Sequence, residues 1–136
     1  MKNPPLGLRH EATIAIDETL TVPRLPPVLT AMANMPPVFA TAYMVGFVEA
    51  TCIDALAPYL EDDEATVGTR VDMTHTAATP PGLRVTAQVE LLSVEKRIMT
   101  FHVRCFDDKD DIGEGLHERA LITRSRFQAR VMAKHV

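Results

Sequence analysis

At 136 residues, 46% of them hydrophobic, the chain is long enough for one domain with one core and too short for two. A formal net charge of −4 provides no long-range field to gather nucleic acid or an anionic membrane, so a polyanionic ligand would need a local basic pocket. Trp is absent and aromatics make up only 5%, which argues against stacking platforms for single-stranded nucleic acid.

The N-terminal MKNPPLGLRHEATI carries two prolines and several charges where an export signal needs an unbroken apolar run, so a cytoplasmic protein is expected. Leu8 to Ile16 reads as a first strand or, with Leu20 to Val22, a short hairpin. Pro23 to Pro37 holds five prolines, which forbid a regular ladder, yet Leu25, Leu29, Met32 and Met35 keep it apolar. Such a loop is expected to lie over a groove, with Thr30 to Asn34 forming at most one helical turn. Its adaptable Met side chains suit a ligand tail, and a packed connector is the alternative.

Val38 to Leu60, VFATAYMVGFVEATCIDALAPYL, is apolar or small at nearly every position, the pattern of a helix buried on all sides. Glu49 and Asp54 interrupt it and no basic flanks frame it, which excludes a membrane span. Glu49 stands in the middle of this apolar run, where an ionised carboxylate without partners is costly. Either backbone donors or a water-filled crevice satisfy it, or it belongs to a catalytic site. Cys52 and Cys105 lack CxxC spacing and read as two buried thiols in a reducing compartment, with no disulfide or metal site implied.

Alternation from Thr66 to Ala77 predicts a strand with Val67, Thr69, Val71, Met73 and His75 on its apolar face. His75 is then either a hydrogen-bonded core residue or an acid or base. After the turn ATPPG, Leu83 to Val94 and Ile98 to Phe106 form a hairpin. Leu83, Val85, Ala87, Val89 and Leu91 of one strand, and Met99, Phe101, Val103 and Cys105 of the other, face inward. Asp107 to Asp111 reads as a solvated turn too short for a calcium loop. Ile112 to Thr123 is the last strand, with Gly113 and Gly115 permitting a bulge or close backbone approach, and RSRFQARVMAKHV is read as its extension. The expected class is α+β: one long helix covered by an antiparallel meander whose strands are joined by tight turns.

The segments VFATAYMVGFVEATCIDALAPYL, VGTRVDMTHTAATPPGLRVT and GEGLHERALI, in this order, resemble the hotdog-fold acyl-CoA thioesterases, specifically the subgroup close to fluoroacetyl-CoA thioesterase. The resemblance implies a hotdog fold, a dimer whose sheets join edge to edge, with a tetramer as a further option, and hydrolysis of a small or medium acyl-CoA. No cofactor is implied beyond the coenzyme A of the substrate. Matched motif by motif, the subgroup's catalytic Thr, Glu and His fall on Thr41, Glu49 and His75. Gly68 matches a position where backbone lies close to the thioester, and Arg119 in GLHERA a supporting or ligand-facing arginine. The chain departs from the subgroup in the segment before the helix, where Met35 stands in place of an aromatic gate.

Thioester hydrolysis needs an activated nucleophile and donors for the developing oxyanion. Glu49 would be the base that activates water or a nucleophile forming an anhydride; His75 would polarise the carbonyl or exchange a proton; Thr41 would orient one of them. Amides of Thr41 to Met44 are candidate oxyanion donors. Eight residues separate Thr41 from Glu49, about 12 Å along a helix. A shared site therefore needs Thr41 in a loop bent back over the helix, or two chains. A non-catalytic acyl-CoA or hydrophobic-ligand module is the competing function, and a hotdog dehydratase a third, although its usual His and acid pairing is not evident.

Overall fold

In the computed structural model, which describes residues 1–135, five strands and two helices account for most of the chain. They run β1 (Arg9–Ala15), α1 (Thr41–Leu56), β2 (Glu64–Met73), β3 (Arg84–Glu95), β4 (Ile98–Asp107), β5 (Asp111–Thr123) and α2 (Arg124–Met132). The strands form one antiparallel sheet in the order β1-β3-β4-β5-β2. The alternation read from the sequence selects its inner face: Val85, Ala87, Val89 and Leu91 of β3 and Met99, Phe101, Val103 and Cys105 of β4 are all buried. Met44, Val48, Cys52 and Leu56 close the core from α1, recurring every four residues as one helical stripe.

Several expectations are corrected. Within the chain α1 is not buried all round, because the sheet covers one side of it; Ala42, Gly46 and Ala50 are exposed, and Ile53 is 42% exposed. The strands are not a simple meander: β2 pairs with β5, so the segment after Met73 crosses to the far side of the sheet before β3 begins. Leu20 to Val22 makes no hairpin. Tight turns at Glu18–Leu20 and Val22–Arg24 take its place, the first capped by Asp17 accepting from Thr19 N at 2.9 Å. The proline-rich loop does hold one turn at Thr30–Met32, and most of its residues are exposed, Val28 at 83%.

The C-terminal segment turns into α2 instead of prolonging β5. The β5 ladder ends at Thr123 opposite Glu64, the first residue of β2, and Arg124 N donates to Asp63 O at 2.7 Å, turning the chain. Asp107 is buried, not solvated; its carboxylate accepts from Thr79 Oγ1, Lys109 N and Asp110 N, each at 2.7 Å, and ties the turn to the crossover.

A bulge at Thr69 decides what β2 presents. Gly68 pairs with Arg119, then Arg70 with Glu118 and Val71 with His117. Arg119 and His117 are buried, so Thr66 and Gly68 before the bulge, and Val71 after it, share the inner face. The uniform alternation expected from Val67 to Met73 is therefore broken, because one extra residue exchanges the two faces. β2 has β5 on one side only, and its other edge is unpaired among the described residues.

Candidate active site

Two clusters of polar side chains flank α1. The first lies at its start. Phe39 N donates to Thr79 O at 2.8 Å and Ala40 N to Leu20 O at 3.0 Å, which fixes where the helix begins. Ala40 is the N-cap and offers no side-chain acceptor, so the amides of Thr41, Ala42 and Tyr43 are unpaired among the described residues, while Met44 N already donates to Ala40 O at 2.9 Å. The expected donor set therefore shortens by one.

His75 reaches the same place from the far side. β2 ends at Met73, but Thr74 N and Thr76 N still donate to Glu114 O and Ile112 O of β5, so the chain stays alongside the sheet and His75 is held against the helix start. Thr41 Oγ1 and His75 Nδ1 lie 2.7 Å apart. The other ring nitrogen, Nε2, is buried and has no partner among the described residues. Phe39 meets the ring edge-on with centroids 6.5 Å apart. Burial holds the imidazole below its ordinary value of 6.5. A neutral ring anchored through one nitrogen leaves the other as a directed proton donor or acceptor.

The second cluster surrounds Glu49. Sequence reasoning expected something to meet this carboxylate, and Arg119 does: its Nη1 donates to Glu49 Oε2 at 2.8 Å. The same guanidinium donates through Nε to Thr66 Oγ1 at 2.8 Å and through Nη2 to Thr66 O at 2.9 Å. Nη1 also lies 3.1 Å from His117 Nε2. Since His117 Nδ1 lies 2.8 Å from Arg70 O, which can only accept, Nδ1 carries the proton and Nε2 accepts from Arg119. Burial holds His117 below its ordinary value, and the Arg119 charge lowers it further, while the bond to Arg70 O opposes both. Glu49 is half-exposed, a correction to its expected burial, and its Oε1 receives no hydrogen bond from the described residues.

Gly68 lies directly over this carboxylate. A Cβ there would sit 2.4 Å from Glu49 Oε2, so only glycine leaves the carboxylate in place. Arg119 is 3% exposed and is turned toward Glu49. Met35 is 49% exposed in the proline-rich loop. Cys52, one turn beyond Glu49, has its thiol pushed up to about 12 by burial, so it supplies no thiolate.

Thr41 and His75 are thus brought together, as are Glu49, Gly68 and Arg119, but the two clusters are separate within one chain. Thr41 is the first residue of α1, which removes the alternative of a loop bent back and leaves about 12 Å of helix between it and Glu49. Sequence reasoning missed His117 and Thr66. His117 was visible in GLHERA two positions before Arg119, the spacing that puts both on one face of a strand.

Residues 27–125 match the model of a family described as fluoroacetyl-CoA-specific thioesterase. The fluoroacetyl-CoA thioesterase of Streptantibioticus cattleyicolor is 46% identical over 129 residues, 95% of this chain and 93% of that protein. The solved structure of the fluoroacetyl-CoA thioesterase FlK superposes with a TM-score of 0.95 at 44% identity, covering 98% of both chains, and a mutant of that enzyme has been solved with acetyl-CoA. A thioesterase superfamily member from Thermus thermophilus, 24% identical over 99% of this chain and 96% of its own, shares the fold with a TM-score of 0.88. With its α+β hotdog fold, the chain belongs to the fluoroacetyl-CoA-specific thioesterase family and so to the thioester hydrolases.

Proposed function

We propose that the protein hydrolyses a small or medium acyl-CoA to the free acid and coenzyme A, as a cytoplasmic homodimer in which Glu49 of one subunit serves the Thr41 and His75 pair of the other. The observation that carries this reading is the unpartnered Nε2 of His75 beside the open first turn of α1. Three unpaired amides, a hydroxyl and a ring nitrogen converge where a thioester oxygen gains charge, which is the arrangement an oxyanion requires.

In this scheme Glu49 either takes the proton of the attacking water or attacks the thioester carbon itself. Arg119 fixes Oε2, and Oε1 is left for the reaction. The tetrahedral oxyanion is held by the first-turn amides and His75, and its collapse expels the coenzyme A thiolate. In the base route the thiolate takes the proton that Glu49 removed from water. In the nucleophile route water then hydrolyses the Glu49 anhydride, giving its acyl half to the free acid and one proton to the thiolate. No cofactor enters. Gly68 lets the thioester lie against the backbone beside Glu49, and Met35 covers the acyl end. Where the subgroup has an aromatic gate this methionine is softer and unbranched, so fluoroacetyl-CoA is expected to be one substrate among several.

Support for the dimer comes from surfaces left open in one chain. The free edge of β2 is a pairing template, with Val71 44% exposed beside it, and the small residues Ala42, Gly46 and Ala50 of α1 permit close approach. Mixing Thr41→Ala chains with Glu49→Ala chains tests the shared site: activity should return in the mixed dimer, and its absence there would count against complementation. A panel of acyl-CoA esters assayed for free thiol, with Glu49→Gln and His75→Ala as controls, tests the reaction. No thiol release by the folded protein would leave a ligand-binding module instead.

A further inference from the structure

Of the buried polar residues, Thr66, His117 and Arg119 serve Glu49, while Thr21 and Thr51 bond to carbonyls one turn earlier. Thr79 and Asp107 remain. Thr79 is wholly buried and donates through Oγ1 to Asp107 Oδ2 at 2.7 Å. Asp107 Oδ1 is already fixed by two turn amides, Lys109 N and Asp110 N. Thr79 lies four residues after His75 on the same side of an extended chain, in which Thr76, Ala78 and Pro80 are exposed. From Ala77 to Pro81 no amide donates a hydrogen bond among the described residues, and the two prolines have none to donate. Between Thr76, bonded to Ile112 O, and Gly82, bonded to Ile16 O, hydrogen bonding therefore fixes the crossover only at Thr79. The same residue reaches the helix start: Phe39 N donates to Thr79 O at 2.8 Å, two positions before Thr41. Among the described residues this is the one backbone hydrogen bond between the start of α1 and the segment that carries His75.

We propose that Thr79, anchored by Asp107, is a positioning residue that holds His75 against Thr41, an inference that rests on the acyl-CoA reading above. Thr41 is exposed, so water competes for its hydroxyl, and its 2.7 Å contact with His75 is too weak to set the spacing of the two segments by itself. A buried bond from a hydroxyl to a carboxylate is stronger and shielded from water. It fixes the Thr79 side chain, and with it the carbonyl that holds Phe39 and places the start of α1. Phe39 in turn meets the His75 ring edge-on, so both members of the pair are referred to one buried point. A shift of about 1 Å in such a pair is enough to cost about 100-fold in rate.

The test compares Thr79→Val and Thr79→Ser with the wild type on the fastest ester of the acyl-CoA panel. Valine removes the donor at nearly the same volume, and serine restores it. Thr79→Val should lower kcat about 30-fold while KM moves by less than about twofold, and Thr79→Ser should keep most of the rate. Combined with Thr41→Val, the loss should fall well short of the product of the two single losses, because both act through one ring. The two ring nitrogen resonances of His75 give a readout free of catalysis: well separated in the wild type, as in a single tautomer, they should draw together in Thr79→Val. If valine does not fold, Asp107→Asn takes its place. Its amide oxygen still serves the turn while the charge facing Thr79 is lost, so a several-fold fall in kcat and a smaller convergence of the ring signals are expected. A lower Tm with kcat and ring signals unchanged, in whichever variant folds, would make Thr79 and Asp107 an ordinary turn anchor and overturn the proposal. Fully multiplicative losses with Thr41→Val, or a serine variant as slow as valine, would do the same. Ring signals that converge as expected in a protein that hydrolyses no ester would sink the hydrolase reading and leave the positioning of His75 standing.

Discussion

Arg119 Nη1 donates to Glu49 Oε2 at 2.8 Å while the arginine side chain is 3% exposed and the glutamate 36%. The pair is therefore one-sided: a buried cation, already bonded to Thr66 and His117, reaches out to hold a carboxylate that solvent still touches. Solvent screens the ion pair itself, so the stability of the arrangement lies mostly in the bonds from Arg119 to Thr66 and His117.

Replacing Arg119 should show that division. Arg119→Met leaves Thr66 O, Thr66 Oγ1 and His117 Nε2 without their donor, and a loss of about 2–3 kcal/mol is expected from such unpaired buried groups. Arg119→Lys keeps the charge but not the planar fork, so it should recover only part of the stability. Thermal unfolding, followed alongside kcat, measures both; a lysine variant as stable as the wild type would show that charge alone suffices.

Two glycine substitutions separate chemistry from folding. At Gly68 the added methyl meets the end of a side chain, Glu49 Oε2, which can swing away. Gly68→Ala should therefore stay folded with little change in Tm, yet lose about 100-fold in kcat through the displaced carboxylate. At Gly115 the methyl would lie 2.1 Å from Asp72 O, backbone held in the β2–β5 ladder. Gly115→Ala should cost about 1–3 kcal/mol of stability, read from urea unfolding. Equal effects of both on Tm would contradict this distinction.

Much of this geometry could be read before any coordinates existed, for reasons that differ between elements. The inner faces of β3 and β4 follow from strict alternation, since an antiparallel strand with one wet face has few other choices. Thr41, Glu49 and His75 are legible from resemblance and from the pattern around them, whereas the pairing of His117 with Arg119 depends on reading their spacing of two as one face of β5, which shows only once that face is known to meet Glu49. The bulge at Thr69 escaped because its sequence, VGTRV, alternates smoothly; the extra residue is a property of pairing with β5. Likewise the turn of the chain into α2 depends on where β2 stops, not on the residues of α2 themselves.

His117 makes stability depend on pH in a predictable sense. Its pKa is lowered by folding, so the unfolded chain binds the proton more readily, and stability is complete above about 6.5 and declines as pH falls below it. His75 acts in the same direction. Urea unfolding across that range should show a shallower decline in His117→Gln, with a lower plateau at neutral pH because Arg119 loses a well-placed acceptor. A decline of unchanged slope would assign the acid sensitivity to other groups.

Thr41 and His75 set the pH dependence of the proposed reaction. The imidazole is held below its ordinary value by burial, so its neutral form persists into more acid solution, and the acid limb of kcat/KM should fall below pH 6.5. Thr41→Ser retains an oxygen within reach of Nδ1 and should keep much of the activity, whereas Thr41→Val removes the 2.7 Å bond and frees the ring to turn. A loss of about 100-fold in kcat is expected from the valine variant, the usual scale for a mispositioned acid or base. If the hydroxyl serves only to orient the ring, valine should lower the rate without moving the limb upward by much, since burial is the cause of the shift and burial remains. A limb that rises to the value of a free histidine would instead mean that the threonine keeps water from the ring, and a limb absent from both enzymes would remove His75 from the chemistry.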